Sequence, residues 1–308
     1  MKKGYVELTH HWGYVGAISS ALLFGMGATL NKIALADVHP TVVAGLIYLF
    51  AGIALSLVRF SPLRNWIMSL LETPTRTEAK IGRKDLAILA FIVLSGSTVA
   101  PLLFLNGLNQ TTAINASLLQ NTESLFTILI ALLFLKEKAG KKDWVGILFL
   151  IGGVLFLTTN GEFFKLTLTQ SLFGNMLIVT ACLFWGIDNN LSRFLSIKED
   201  IILITVLKCL IGGTILLLLS LALRLEFQIS LSVFPYLISV GTFSIGFSIL
   251  FFLLGLREIG AMKTGVIFST SSLFGAAFAF LILRESFSLI QLIAGFVMLL
   301  GVYILYKQ

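Results

Sequence analysis

The chain has 308 residues, of which 57% are hydrophobic and only 12% are charged, and its formal net charge is +7. A soluble domain carries about a quarter charged residues, so this composition excludes a soluble protein and indicates an integral membrane protein. The positive charge does not indicate nucleic-acid binding, because the basic residues cluster in short loops between apolar stretches, as membrane orientation requires.

Ten apolar windows have the composition of membrane-crossing helices, although the fifth falls short of the roughly 20 residues that the hydrocarbon core requires. We number them segments 1 to 10, at residues 12–35, 40–60, 85–108, 113–135, 144–159, 172–194, 201–223, 234–256, 262–283 and 289–306. No connection is long enough to hold a soluble domain, and the longest, at 61–84, is polar and basic. The sequence therefore predicts an all-α membrane protein with ten transmembrane helices.

Lysine and arginine are distributed unevenly between the two sets of connections. With a cytoplasmic N-terminus, 17 of these residues lie on inner connections or termini and 4 on outer ones, while Lys208 lies within a segment. Inner connections of membrane proteins carry the excess of basic residues. The sequence therefore predicts a multi-pass protein of the cytoplasmic membrane with both termini in the cytoplasm.

Residues 113–137 and 261–285 are similar to each other at an offset of 148 residues. Identical pairs include Thr122/Thr270, Phe126/Phe274, Ala131/Ala279 and Glu137/Glu285. Because segments 4 and 9 are five segments apart, they are expected to cross the membrane in opposite directions. The sequence thus predicts two inverted five-helix repeats, at 1–160 (including the basic inner loop 61–84) and 161–308, an arrangement typical of secondary transporters.

Glu123 stands at the middle of segment 4, next to Gln120 and Asn121. A charge at the bilayer centre costs about 3 kcal/mol on insertion scales, so such a residue indicates a partner or a function. We interpret Glu123 as a substrate ligand or a proton carrier, with the two amides as hydrogen-bonding groups. The alternative is a glutamic acid that only fastens helices together.

The second half of the chain supplies further polar candidates. Asp188 in segment 6 and Lys208 in segment 7 lie at similar depths, which predicts an ion pair that acts as a gate or, alternatively, a purely structural pair. A third interpretation is that Asp188 is a helix-end residue near the headgroups. Trp185 is a candidate for lining a pocket, with core packing as the alternative. The remaining candidates for hydrogen bonds to substrate are Asn190, Ser271 and Ser272, and the alternative for the two serines is hydrogen bonding to carbonyls of their own helix.

Signals of enzymatic activity are weak in this sequence. It contains no pair of histidines at metal-site spacing inside a segment, no phosphate-binding loop and no serine nucleophile elbow. We therefore expect no enzyme, no metal site and no cofactor.

Three short motifs carry a family resemblance. They are the segment ends at 131–137 (Ala-Leu-Leu-Phe-Leu-Lys-Glu) and 279–285 (Ala-Phe-Leu-Ile-Leu-Arg-Glu), and 185–190 (Trp-Gly-Ile-Asp-Asn-Asn). With these motifs the chain resembles the EamA-type, ten-helix form of the drug/metabolite transporter superfamily. The resemblance implies that segments 1, 3, 4, 6, 8 and 9 line a central cavity while 5 and 10 lie at the periphery. It also implies transport of metabolites such as amino acids, often outward.

The combined expectation is a secondary transporter that moves a small organic metabolite across the cytoplasmic membrane by alternating access. Export and proton coupling are hypotheses within it. The expected partners are a small-molecule substrate, the lipid bilayer and protons, without nucleic acid, and the expected state is a monomer or weak dimer. Two alternatives stay open: an uncoupled facilitator or exchanger, and a non-transporting membrane receptor or scaffold.

Overall fold

A computed structural model describes residues 2–62, 82–134, 140–161, 169–196 and 201–306. Within these ranges, side chains are described except at 2–11, 193–196, 201, 256–257, 260–262 and 306. Most of the predicted basic inner loop, and Glu137 at the end of the first repeated motif, lie outside the described residues. The described ranges are helical and contain no strand, so the all-α prediction is confirmed.

The helices follow the predicted segments closely. In the first half of the chain they are Lys2–Ala34, Pro40–Phe60, Arg83–Leu94, Ala100–Gln110, Ala113–Leu119, Thr122–Phe134 and Lys141–Thr158. In the second half they are Gln170–Ser196, Ile201–Ala222, Phe234–Ser239, Ser248–Ser269, Ser271–Leu283 and Leu289–Tyr306. Two π-helical stretches, Ser95–Val99 and Val240–Phe247, interrupt segments 3 and 8.

Eight helical stretches in the described ranges are long and apolar enough to cross a membrane, and they correspond to segments 1–4 and 6–9. The helix of segment 5, Lys141–Thr158, begins with three charged residues. The apolar part of segment 10, Leu289–Leu305, is shorter than the other eight. The chain is therefore a multi-pass membrane protein, and the count of ten crossings stays a prediction.

Local signals in the sequence explain several helix ends. Pro40 opens segment 2, and the side chain of His39 accepts a hydrogen bond from the Thr41 backbone N–H at 3.2 Å. An aspartate at the third helical position caps segment 5 in the same way as segment 3: Asp143 accepts from the Gly140 N–H at 2.6 Å. These carboxylates satisfy backbone donors that the first helical turn leaves unpaired.

The continuous helix Ser248–Ser269 is not one straight rod. A Cβ atom added at Gly255 would lie 3.0 Å from Cγ2 of Thr264, whereas nine residues of straight helix rise about 13.5 Å. The chain therefore reverses between these two residues, and segments 8 and 9 stand as separate crossings joined by a tight helical connection.

The two halves of the chain pack into each other. Segment 1 packs on segments 8 and 9, segment 6 packs on segments 3 and 4, segment 2 pairs with segment 7, and segment 5 pairs with segment 10. Small residues make these crossings close: a Cβ atom at Gly213 would lie 2.8 Å from the Gly45 carbonyl oxygen, and one at Gly301 would lie 2.9 Å from that of Gly146. Close backbone approach through small residues is a common basis of helix association in membranes.

Candidate functional site

Segment 4 is kinked at mid-length. Its helix stops at Leu119, turns through Gln120 and Asn121, and resumes at Thr122. Tight hydrogen bonds close the kink, from the Asn121 N–H to the Leu118 carbonyl at 3.2 Å and from the Glu123 N–H to the Gln120 carbonyl at 3.0 Å. The kink changes the direction in which the following polar side chains point, while the backbone N–H groups of Asn121 and Glu123 stay hydrogen-bonded.

A polar stripe follows the kink along one face of segment 4. Its members are half-buried and recur at helical spacing: Gln120, Glu123, Ser124 and Thr127. A stripe that contains a carboxylate is unfavourable against lipid, because intramembrane ionisable groups face the protein interior or a water-filled cavity. We therefore assign this face to the inside of the bundle.

The Glu123 carboxylate is held from one side only. The side-chain amide of Asn189 donates a hydrogen bond to Oε1 at 2.7 Å and lies 3.3 Å from the Thr127 hydroxyl oxygen. No donor in the described part of the chain reaches the second oxygen, Oε2. Glu123 thus presents an oriented carboxylate with one oxygen available to a ligand.

Asn189 was not among the residues predicted for the site. It is exposed although it lies deep in segment 6, which places it beside an accessible space and not in packed core. The signal in the sequence was the run of three polar residues at 188–190 within an apolar segment. Sequence alone did not show which of the three faces segment 4.

Asn190, which was predicted to bind substrate, connects two helices. Its side-chain amide donates to the backbone carbonyl of Thr127 at 3.0 Å and to that of Gly186 at 2.8 Å. Both amide hydrogens are therefore used, and the side chain is 6% exposed. Only the amide oxygen of Asn190 is left for a substrate.

Segment 9 is kinked at the level where segment 4 is kinked. Its first helix ends at Ser269 and the next begins at Ser271. The Asn121 side chain donates to the Ser272 hydroxyl at 2.9 Å, and that hydroxyl donates to the Ser269 carbonyl at 3.0 Å. The two kinks are thus joined directly, with the buried Ser271 beside them.

Asp188 and Lys208 come together as a buried pair. The Lys208 Nζ atom lies 2.7 Å from Asp188 Oδ2, and their side chains are 19% and 4% exposed, respectively. The Ser192 hydroxyl donates to Asp188 Oδ1 at 2.9 Å. Both carboxylate oxygens therefore have partners, and the charge of Asp188 is balanced.

The π-helical stretch of segment 3 packs against this pair. The carbonyl of Gly96 accepts hydrogen bonds from Trp185 Nε1 at 3.1 Å and from the Tyr48 hydroxyl at 3.2 Å. The Trp185 ring also contacts the Phe104 ring, with centroids 5.3 Å apart. Trp185, predicted as a pocket-lining residue, is half-buried and ties segment 6 to segment 3. Tyr48 and Gly96 were not predicted as site residues, because their contacts join segments that are distant in the sequence.

A second polar cluster lies at the opposite ends of these segments. Both oxygens of Glu285 accept backbone N–H bonds at the start of segment 4, from Ala113 and Ile114, each at 2.9 Å. Lys32 at the end of segment 1 donates to the carbonyls of Leu108 and Thr111, each at 2.6 Å. We call these contacts the Lys32–Glu285 clamp, since they fasten segments 1 and 9 to the turn between segments 3 and 4.

No group of three or more histidine, cysteine, aspartate or glutamate side chains that could hold a metal ion occurs among the described residues. The groups assembled at the centre are one open carboxylate, several amides and hydroxyls, and a balanced ion pair. Such groups bind and release polar solutes through hydrogen bonds and charge.

Comparison with known proteins agrees with this architecture. The model of the EamA-like transporter family matches the chain twice, at residues 11–159 and 172–307. An uncharacterized transporter of Methanothermobacter thermautotrophicus is 44% identical over 295 residues, which cover 96% of this chain and 86% of that protein. The uncharacterized transporter YetK of Bacillus subtilis is 22% identical over 98% of this chain and 89% of its own length.

One solved crystal structure has the same fold. It superposes with a TM-score of 0.66 at 14% identity, and the match covers 95% of this chain and 94% of the other. The family match spans nearly the whole sequence and the archaeal relative is close. The chain therefore belongs to the EamA-like transporter family.

Proposed function

We propose that this protein is a secondary transporter that moves a small organic metabolite, an amino acid or related compound, across the cytoplasmic membrane by alternating access. The observation that carries the proposal is the Glu123 carboxylate, which stands at mid-membrane on a polar stripe with one oxygen open. A carboxylate at this depth is costly and is retained where it binds solutes or protons. In this proposal the substrate contacts Glu123, the lipid bilayer surrounds the helices, and the protein acts as a monomer or weak dimer.

Two observations support the inverted repeats on which alternating access rests, at 1–160 and 161–308. Glu285, just beyond the end of segment 9, contacts the start of segment 4, so these ends lie at one membrane face. Since segment 4 leads away from that face and segment 9 leads towards it, the two run in opposite directions. In addition, the π-helical stretch Ser95–Val99 corresponds at the offset of 148 to residues 243–247, within Val240–Phe247.

The Lys32–Glu285 clamp supports a particular state of the cycle. The distribution of basic residues assigns the clamp to the outer face, where it holds the ends of segments 1, 3, 4 and 9 together. The exposed Asn189 lies towards the other face. We infer a conformation that is closed outside and accessible from the cytoplasm, and the outward-open state requires the clamp to separate.

Export driven by proton entry through Glu123 is the coupling that we propose. In proteoliposomes tested with a panel of radiolabelled amino acids and related metabolites, Glu123→Gln should abolish the dependence of flux on a pH gradient. The matched control is Glu226→Gln, because Glu226 is an exposed carboxylate in a loop and its loss should leave coupling intact. Normal coupling in Glu123→Gln would contradict the proposal.

The two alternatives give different results in the same vesicles. Counterflow that persists without any pH gradient and is unaffected by one favours an uncoupled facilitator or exchanger. Absence of saturable flux for the whole panel favours a non-transporting receptor or scaffold.

A further inference from the structure

Among the carboxylates of the eight described spans, one neither caps a helix nor pairs with a cation. These spans contain three carboxylates: Asp85, Glu123 and Asp188. Asp85 caps the start of its helix by accepting the Gly82 N–H at 2.9 Å, and Asp188 is paired with Lys208. Glu123 is the remaining carboxylate, and no cation within the described residues pairs with it.

The surroundings of Glu123 are those of a site for a hydrogen-bonding cation. Asn189 occupies Oε1 and orients the carboxylate, while Oε2 has no partner in the described part of the chain. On the same helix face stand the side-chain oxygens of Gln120 and Ser124. An ammonium group carries three N–H donors and no acceptor, so one donor can bind Oε2 while the others bind these neutral oxygens.

An anion or an uncharged compound does not fit this charge balance. A single carboxylate in a medium of low dielectric constant attracts a cation and repels an anion strongly. Lys208, the neighbouring cation among the described side chains, already has its counter-ion at 2.7 Å and is not available to a substrate anion. A neutral substrate would leave the ionised carboxylate, the form of Glu123 that has released its proton, without charge compensation.

We infer that the substrate carries an ammonium group that binds the open oxygen of Glu123, and that Asn189 is the positioning residue for this carboxylate. The inference rests on the proposed transport function and narrows its substrate class to amines and compounds with a free amino group. N-acetylated, purely anionic and uncharged metabolites are excluded from the site.

Binding to the purified full-length protein in lipid nanodiscs tests the inference. The probes are amino acids, the primary amines formed from them by decarboxylation, and their N-acetyl derivatives, so that each set differs only in charged groups. The tightest probe should carry an ammonium group, and its N-acetylation should weaken binding at least tenfold. In Glu123→Gln the acetylated and free forms should bind equally, and in Glu226→Gln the wild-type difference should persist.

Variants of Asn189 test whether this residue positions the Glu123 carboxylate for amine binding. Asn189→Ala should weaken binding of the free amine several-fold and reduce the preference over the acetylated form, whereas loss of an unrelated helix contact would change neither. Asn189→Asp, which replaces the donor with a second carboxylate, should raise affinity for a divalent amine such as putrescine relative to a monoamine.

Several results would overturn the inference. They are a tightest probe that is neutral or anionic, a panel in which no ammonium compound binds, or equal discrimination by wild type and Glu123→Gln. If Glu123→Gln does not fold, the comparison of free and acetylated probes on the wild-type protein still decides. Saturable flux of an anionic compound would overturn the ammonium assignment but support transport. Binding of an ammonium compound without any flux would support the ammonium assignment but contradict transport.

Discussion

Replacement of Glu285 by glutamine tests whether the Lys32–Glu285 clamp holds the outer end of the protein closed. Each Glu285 oxygen accepts one backbone N–H at 2.9 Å from the start of segment 4. Hydrogen bonds to a charged group contribute about 1.5–3 kcal/mol each, and the positive end of the helix dipole strengthens them. Glutamine keeps one acceptor oxygen, loses the charge and turns an NH2 group towards the second N–H.

We expect the closed state to lose about 3 kcal/mol in Glu285→Gln, which corresponds to about a 150-fold shift of the closed–open equilibrium. Thr29 is a suitable reporter, because it lies one helical turn below Lys32, is 0% exposed, and its hydroxyl has no partner among the described residues. Thr29→Cys is placed in a background in which the two native cysteines, Cys182 and Cys209, are replaced by alanine.

The assay is the rate at which a membrane-impermeant maleimide, added outside whole cells, modifies Cys at position 29. Glu285→Gln should raise this rate by one to two orders of magnitude, in line with the population shift above. Glu226→Gln, which removes an exposed carboxylate on the same predicted face, should leave the rate unchanged. An unchanged rate in Glu285→Gln would refute the claim that the clamp closes the outer end.

The buried Asp188–Lys208 pair and the packing around it make further predictions, each checked by thermal unfolding of the purified protein. Lys208→Met leaves Asp188 buried without a cation and should lower stability by about 3–5 kcal/mol, most of which the added Asp188→Asn restores; a double variant less stable than the single one would contradict the pairing. Gly96→Ala places a methyl group against the Asp188 carboxylate and should cost about 1–3 kcal/mol. Gly152→Ala is the control, since a Cβ atom there meets nothing within 4 Å. Trp185→Phe removes the hydrogen bond to the Gly96 carbonyl and should cost about 1 kcal/mol.

Much of the site could be anticipated from residue type and depth. A carboxylate in the middle of an apolar segment has a high free-energy cost of burial and therefore stands out in the sequence. This reasoning selected Glu123 and the Asp188–Lys208 pair. This reasoning gives no guidance where the cost is small or where the contact depends on the direction of a side chain. Asn190 was selected and uses its amide to join backbones, whereas its neighbour Asn189 is the residue that reaches Glu123. One residue along a helix turns a side chain by about 100 degrees, so the choice between them depends on how segment 6 is rotated against segment 4.

Glu285 illustrates the same limit. The sequence marked it as half of the repeated pair Glu137/Glu285 and attached no role to it. Its contacts lie 171 and 172 residues away along the chain, and no local pattern encodes a contact over that distance.

The helices themselves follow from composition, because hydrocarbon offers the backbone no hydrogen-bonding partners and each apolar stretch must satisfy its own N–H and C=O groups. Membrane class and the approximate ends of the segments were therefore readable from residue order alone. Only the tertiary structure determined which helix faces contact each other. These contacts depend on close glycine crossings between distant segments and on polar side chains whose partners lie on other helices. The local sequence does not encode which helices pack side by side. An apolar helix face is equally well solvated by lipid and by another apolar helix, so only close packing and interhelical hydrogen bonds select its neighbours.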